Sequence, residues 1–270
     1  MKRLTPYLWM GLVFASLILS ACAGATPAAT QAATTAPAAP AATTAPAVKV
    51  RVATDATWPP FEIVNESTKQ IEGFDIDLMK AIAEKANLDV EFVNVAFDPL
   101  LAGIGTCQYD AAISSITITD ERKKSMLFSD PYFQAGQIVT VQAANTAVKS
   151  KDDLSGKKVG AQIGTTGAIE AAKINGAVVK TYDDVGLAFQ DLINGQIDAV
   201  IADNPLALGY VGKNSDKIKT VGTVFTEEMY GIAICKDKAD LQTKINQGLA
   251  SVKSAGLIDQ LTKKWITVGK

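Results

Sequence analysis

The sequence predicts an α/β protein of two similar lobes, each a mostly parallel sheet flanked by helices. Short β-rich runs alternate with segments of helical period, an order that joins parallel strands through crossover helices. The alternation occurs in two successive halves, which implies two such units. One fragment nearly repeats: "QYDAAISS", Gln108 to Ser115, matches "QIDAVIAD", Gln196 to Asp203, closely in residue type.

The chain opens with Lys2 and Arg3, an apolar run from Leu8 to Leu19, then "LSAC" with Cys22. Residues 1–21 therefore read as an export signal, the apolar run being too short and too early for a transmembrane span. "LSAC" resembles the bacterial lipobox, which implies cleavage before Cys22 and acylation of its thiol; an ordinary cleavage site beside a bystander cysteine is the alternative. Residues 22–47 carry the lipidated Cys22 and "AGATPAATQAATTAPAAPAATTAPA", a tether stiffened by Pro27, Pro37, Pro40 and Pro46 with no periodic apolar face to bury. A lipid anchor followed by a tether places the folded part outside the cytoplasmic membrane.

In the first half "VKVRVAT" reads as a strand and "GFDIDLMKAIAEKA" as a helix, with Phe74, Leu78, Ile82 and then Met79, Ala83, Ala86 on one face. "DVEFVNV" is a strand, "DPLLAGIGT" a short helix and "YDAAISSI" a strand. The second half gives "GKKVGAQ" as strand, "TTGAIEAAKI" and "VGLAFQDLING" as helices, and "IDAVIAD" as strand.

Of the 270 residues, 48% are hydrophobic and 20% charged, a globular balance that can bury a large core. Net charge is −2; without residues 1–21, 24 basic side chains stand against 28 acidic ones, or −4. That balance gives no electrostatic reason to propose a nucleic-acid partner. Beyond Cys22 only Cys107 and Cys235 remain, in a compartment where a disulfide can persist; two buried free thiols are the favoured reading and a bridge the alternative. Metal-ligand spacing, a nucleophile elbow and a Walker loop are all missing, so no metal or cofactor is expected.

Ligands of open α/β sheets gather at the carboxyl ends of strands. Ser115 lies five residues after Asp110, and Asp203 five after Asp198, so both end their strands at equivalent places. If the lobes face one another, Ser115 with Thr117 from one and Asp203 from the other line a shared cleft. Such a set suits a free amino acid, whose carboxylate and ammonium need opposite partners held apart. Arg122 can grip a carboxylate with two parallel hydrogen bonds, Asp203 can take the ammonium, and "GTTGA" opens a helix whose first amides add donors. Each residue also has an ordinary reading: Thr119 capping a polar turn, Arg122 a solvated charge, and Asp203 the cap of a helix with Pro205 in its first turn. Trp58, in the Pro-stiffened loop "DATWPPF", and Phe97, in "AFDPLL", are aromatic faces at strand ends, with core filling as the alternative.

"VRVATDATWPPFE", "GFDIDLMKAIAEKA", "YDAAISSITITDERKKSMLFSDPYF" and "IDAVIAD" together resemble the polar amino-acid solute-binding proteins of bacterial ABC importers, over about Lys49 to Trp265. The resemblance implies the two-lobed periplasmic-binding-protein, or Venus-flytrap, fold, with lobe 1 from residues 48–139 and 232–270 and lobe 2 from 140–231. It implies two crossing segments near "QIVTVQA" and "YGIAIC", and a C-terminal helical stretch returning to lobe 1. It makes Arg122 the carboxylate-binding residue with Ser115, Thr117 and the backbone amide of Thr166. Asp203 holds the α-ammonium, Trp58 and Phe97 pack on the ligand side chain, and Asp55 and Gln162 read its polar end. Asp55 favours a cationic or amide-bearing side chain, so arginine or lysine ranks first and glutamine second.

The implied partners are a free L-amino acid, an ABC permease with its ATPase and, through the anchor, the membrane; the protein itself is expected to be a monomer. The rival from another class is a cyclohexadienyl dehydratase on the same fold. The chain has no His for its chemistry, which leaves Glu62 or Glu228 as the acid.

Overall fold

The structure, a computed structural model, describes residues 46–267. The export signal, Cys22 and most of the tether lie outside the described residues.

Strand β1 (Val48–Thr54) is followed by a small meander, β2 (Thr57–Trp58), β3 (Glu62–Val64) and β4 (Ile71–Glu72), and by helix α1 (Phe74–Ala86). Gly73 starts α1 at φ 142°, and a Cβ there would lie 2.0 Å from the Phe61 carbonyl oxygen, so no other residue fits this entry. Asp75 and Asp77 sit in the first turn and Lys85 in the last, each favourable to the helix dipole. β5 (Leu88–Asn94), α2 (Phe97–Gly105), β6 (Ala111–Ala112), α3 (Asp120–Lys123) and β7 (Met126–Phe128) complete the first pass through lobe 1.

A short strand, β8 (Phe133–Ala135), carries the chain across. Lobe 2 then follows without interruption: β9 (Gln137–Gln142), β10 (Lys158–Gln162), α4 (Thr166–Ala172), β11 (Val178–Tyr182), α5 (Val185–Ile193), β12 (Ala199–Asp203), α6 (Asn204–Lys213) and β13 (Ile218–Val221). β14 (Glu228–Tyr230) returns the chain, β15 (Ala233–Cys235) joins the first sheet, and α7 (Ala239–Ser254) and α8 (Leu257–Leu261) pack on lobe 1. Gly248 of α7 lets the two helices close: a Cβ there would lie 2.7 Å from the Ile82 carbonyl oxygen of α1.

The two sheets have the same plan, β5-β1-β6-β15-β7 and β11-β10-β12-β9-β13. The first three strands of each are parallel, the fourth is antiparallel, and the fifth is antiparallel to the fourth. Only one strand in each sheet therefore opposes the rest, and both times it is the first strand after a crossing. That shifts the crossing segments from the sequence expectation: "QIVTVQA" is almost wholly a sheet strand and the second half of "YGIAIC" is β15, while its Tyr230 ends the crossing. The crossings themselves are β8 and β14, paired antiparallel with Glu228 opposite Ala135 and Tyr230 opposite Phe133. Phe61 packs edge-on against Phe133 at 5.1 Å and Tyr230 at 5.6 Å, so the crossing strands are seated by aromatic side chains in the lobe 1 core.

The near-repeat does the same work twice. The Asp110 carboxylate accepts the Arg51 amide at 2.6 Å and the Asp198 carboxylate accepts the Lys158 amide at 2.7 Å, each tying the start of a central strand to its neighbour. The strand expected over "YDAAISSI" is shorter than its counterpart, however, because the Ser115 amide leaves the sheet to donate to Asp75 at 2.7 Å, with φ 48°.

Cys107 and Cys235 form a disulfide, with Cα atoms 5.0 Å apart, which corrects the expectation of free thiols. β15, added to the sheet from the far end of the chain, pairs with β6 and brings Cys235 to the turn after α2. The bridge lies at the amino-terminal end of β6, opposite the end that carries Ser115.

Candidate functional site

Two groups of side chains meet where the carboxyl ends of the parallel strands of both sheets converge. In the first, Asp55 from the end of β1, Trp58 from β2 and Gln162 from the end of β10 are buried together. The Gln162 amide nitrogen donates to Asp55 at 2.7 Å and to the Asp183 carbonyl at 2.9 Å, while its oxygen accepts the Trp58 indole N–H. Thr57 donates its hydroxyl to the other Asp55 oxygen at 3.0 Å, and the Phe97 amide adds a further donor. Burial nevertheless outweighs these bonds and raises Asp55 to about 6. Phe97 lies nearly parallel to Trp58, with ring centroids 6.0 Å apart, and both rings are buried against apolar clusters, Trp58 against one of lobe 2 and Phe97 against one of lobe 1.

The second group centres on Arg122. Thr119 caps α3 by accepting the Arg122 amide at 3.2 Å, as the ordinary reading of the sequence holds. The guanidinium turns inward from that cap, donating to the Thr117 carbonyl at 2.7 Å and, across the lobes, to the Gly164 carbonyl at 2.9 Å. It also lies over the Phe97 ring, 5.4 Å from its centroid, which joins the two groups. Burial lowers its pKa, against the attraction of Asp203 and Glu228. Gly164 has φ +78°, and a Cβ there would meet an Asp98 carboxylate oxygen at 3.0 Å, so the lobes touch through a position that favours glycine.

Asp203 stands at the cap position of α6 but makes no side-chain cap. Its carboxyl instead accepts the Tyr230 hydroxyl at 2.9 Å, and burial together with the nearby Glu228 charge raises it to about 7. Ser115 is buried, its hydroxyl without a hydrogen-bond partner among the described residues.

Glu228 is the residue that sequence reasoning missed as a member of this group. One of its oxygens accepts Thr117 at 2.7 Å and Thr166 at 2.8 Å; the other accepts Gln137 at 3.1 Å and Thr226 at 2.8 Å. A signal for it existed: in "EMY" an acid shares the period-2 face of Tyr230, which is an inward face.

Beneath the site, Glu62 and Asp75 are fully buried, and no described ion pair includes either. Ser114 donates to Glu62 at 3.0 Å and accepts the Asp55 amide at 3.0 Å, while Tyr132 donates to Asp75 at 2.7 Å. Burial raises Asp75 to about 7 and Glu62 well above its ordinary range, because adjacent carboxyls in a dry interior do not both ionise. Among the described residues the group with metal-ligand spacing is Cys107, Cys235 and Asp237, and its two sulfurs are bonded to each other.

Residues 50–268 match the bacterial extracellular solute-binding proteins, family 3. The chain belongs to that family. A probable histidine-binding protein of Neisseria gonorrhoeae is 37% identical over 221 residues, covering 80% of this chain and 82% of the relative. The glutamine-binding protein GlnH of Bacillus subtilis is 37% identical over 211 residues, covering 76% and 77%. The arginine-, lysine-, histidine-binding protein ArtJ of Geobacillus stearothermophilus superposes with a TM-score of 0.77 at 39% identity, covering 82% of this chain and 96% of that one. The family 3 solute-binding proteins work outside the cytoplasm as components of importers. This member is a binding protein rather than an enzyme, which removes the dehydratase alternative.

Proposed function

We propose that the chain is the lipid-anchored receptor of an amino-acid importer, taking a cationic L-amino acid between lobe 1, built on the β5-β1-β6-β15-β7 sheet, and lobe 2, built on the β11-β10-β12-β9-β13 sheet, so that the boundary falls at the crossing strands β8 and β14 rather than within β9. In this reading Arg122, Ser115 and the backbone amides of Thr117 and Thr166 receive the α-carboxylate end, the Thr117 hydroxyl proton being spent on Glu228. Asp203 takes the α-ammonium, Trp58 and Phe97 flank the side chain, and Asp55 with Gln162 meets its tip. Ligand contacts from both lobes favour the closed form, the shape that a permease and its ATPase engage. Cys22 anchors residues 22–47 to the membrane after removal of residues 1–21.

One observation carries the ligand class. The indole N–H of Trp58 is spent on Gln162, the Gln162 amide hydrogens on Asp55 and Asp183, and the Thr57 hydroxyl on Asp55. That end of the site is left with acceptors, which suit a head that only donates, such as a guanidinium or ammonium. A glutamine side chain would bring a carbonyl needing a donor, and it ranks second because GlnH is a close relative.

Calorimetric titration of the refolded, ligand-stripped protein with L-arginine, L-lysine, L-histidine, L-glutamine and L-glutamate tests this. A dissociation constant on the order of 1 μM, about −8 kcal/mol, is expected for arginine or lysine. Tight binding of glutamine alone would overturn the ligand class. Radiolabelled palmitate incorporated by the wild type and lost in Cys22→Ala would establish the anchor.

A further inference from the structure

Glu228 collects more donors than any other side chain at the site, and they come from both lobes. Thr117 belongs to a lobe 1 segment that pairs with the return crossing: Thr117 bridges Tyr230, and the Ile118 amide donates to the Met229 carbonyl at 2.8 Å. Thr166 heads α4 and Gln137 opens β9, both in lobe 2. Both threonine hydroxyls converge on a single oxygen of Glu228, which is 7% exposed. A carboxylate oxygen only accepts, so each hydroxyl must spend its proton there and present its lone pairs elsewhere. The Gln137 amide donates both to Glu228 and, at 3.1 Å, to the Thr166 oxygen, which completes the same polarity.

We propose that Glu228 is a positioning residue for ligand capture, an acceptor on the return crossing that fixes the Thr117 and Thr166 hydroxyls in one orientation and joins the lobes through them when closed. It acts through the two threonines. Separating the lobes parts Thr117 from Thr166 and breaks this junction, so Glu228 adds to the life of the closed complex rather than to encounter. The inference rests on the amino-acid site proposed above.

Glu228→Gln is the deciding variant because it keeps the shape but can face the two hydroxyls with an NH2, from which they would accept, so that their single orientation is lost. Stopped-flow binding of L-arginine and of L-lysine should show a dissociation rate raised about tenfold to a hundredfold, the range for hydrogen bonds to a charged group, with the association rate within about threefold of wild type. Thr166→Val should raise the dissociation rate about tenfold. The double variant should be no worse than Glu228→Gln alone, since both changes break one junction. Thr166→Val also reports on the junction should Glu228→Gln fail to fold.

Unchanged dissociation in both variants, additive losses in the double variant, or an effect confined to association would each overturn the inference while wild-type binding leaves the site intact. A wild-type protein that takes up none of the amino acids would overturn the site reading and this inference together.

Discussion

The Tyr230 hydroxyl donates to the Asp203 carboxyl at 2.9 Å, joining the strand that returns the chain to lobe 1 with the end of the central strand of lobe 2. The bond ties Asp203 to the crossing, and Gln137 at the start of β9 donates to the same carboxyl. It also explains why Asp203, although placed to cap α6, does not cap it.

Asp203 at about 7 and Asp55 at about 6 both lie above their ordinary 3.8, chiefly through burial. A carboxyl raised by folding contributes stability that is complete below its unfolded value and is lost as pH rises through the folded one. The melting temperature of the ligand-free protein should therefore fall as pH rises from about 4 to about 7, with Asp75, also near 7, adding to the slope. Asp203→Asn should flatten part of that fall in a calorimetric pH series; a melting temperature that climbs over the same window would contradict the assignment.

An ammonium needs the ionised form of Asp203. Below about 7, arginine binding should release up to one proton, and the affinity should rise with pH by up to about tenfold per unit before levelling off. Titrations in two buffers of different ionisation enthalpy read the proton count directly. No proton release near pH 6 would mean that Asp203 is already ionised or does not meet the ligand.

Arg122→Ala should weaken every amino-acid ligand at least a hundredfold, since it removes the buried partner of a group all of them share. Arg122→Lys should recover little, because one ammonium cannot replace a fork that now reaches both Thr117 and Gly164. Near-native affinity of Arg122→Ala would reject the carboxylate assignment.

Asp55→Asn should change the ranking of ligands more than the strength of the best one. The substitution removes the charge and replaces one of the acceptor oxygens offered to a cationic head with a donor, and arginine and lysine should lose about ten- to a hundredfold relative to glutamine. Competition titrations with glutamine and arginine measure that ratio, and an unchanged ratio would remove Asp55 from side-chain reading.

The Cys107–Cys235 bridge closes 128 residues of chain. Loop-entropy arithmetic gives about 4–5 kcal/mol for a loop of that length. Cys107→Ser with Cys235→Ser should lower the melting temperature by many degrees yet leave arginine affinity within about threefold, because the bridge lies at the opposite end of the sheet from the site. A large loss of affinity in the folded double variant would show that the two ends communicate.

Asp203, Trp58 and Phe97 could be singled out in the sequence because they lie at or just after strand ends that the alternation of strands and helices fixes, and Arg122, inside α3, because a guanidinium suits a carboxylate; the structure brings Arg122 over the Phe97 ring and Phe97 beside Trp58, while their ligand roles belong to the proposal. Gln162 and Asp55 entered only through the family resemblance, and their bond to each other could not be read from the sequence, since it forms only where two separate sheets meet. Glu228 escaped for a related reason: its partners lie 111, 62 and 91 residues away and at Thr226, so only the crossing reveals them. The paired cysteines were equally hidden, as β15 reaches the first sheet only after the whole of lobe 2 has been inserted.

That insertion orders the assembly of the molecule in time. A chain emerging amino-terminus first from an export channel presents β9 to β13, the entire lobe 2 sheet, before β15 and α7 exist outside. Lobe 1 must wait with its central β6 unpaired on one side until the last part of the chain arrives, so the earlier-made half of the protein is the later one to finish. The final strand supplies both the missing sheet partner and the second cysteine, so the Cys107–Cys235 bond, made when an external oxidant takes two electrons from the paired thiols, marks the arrival of β15.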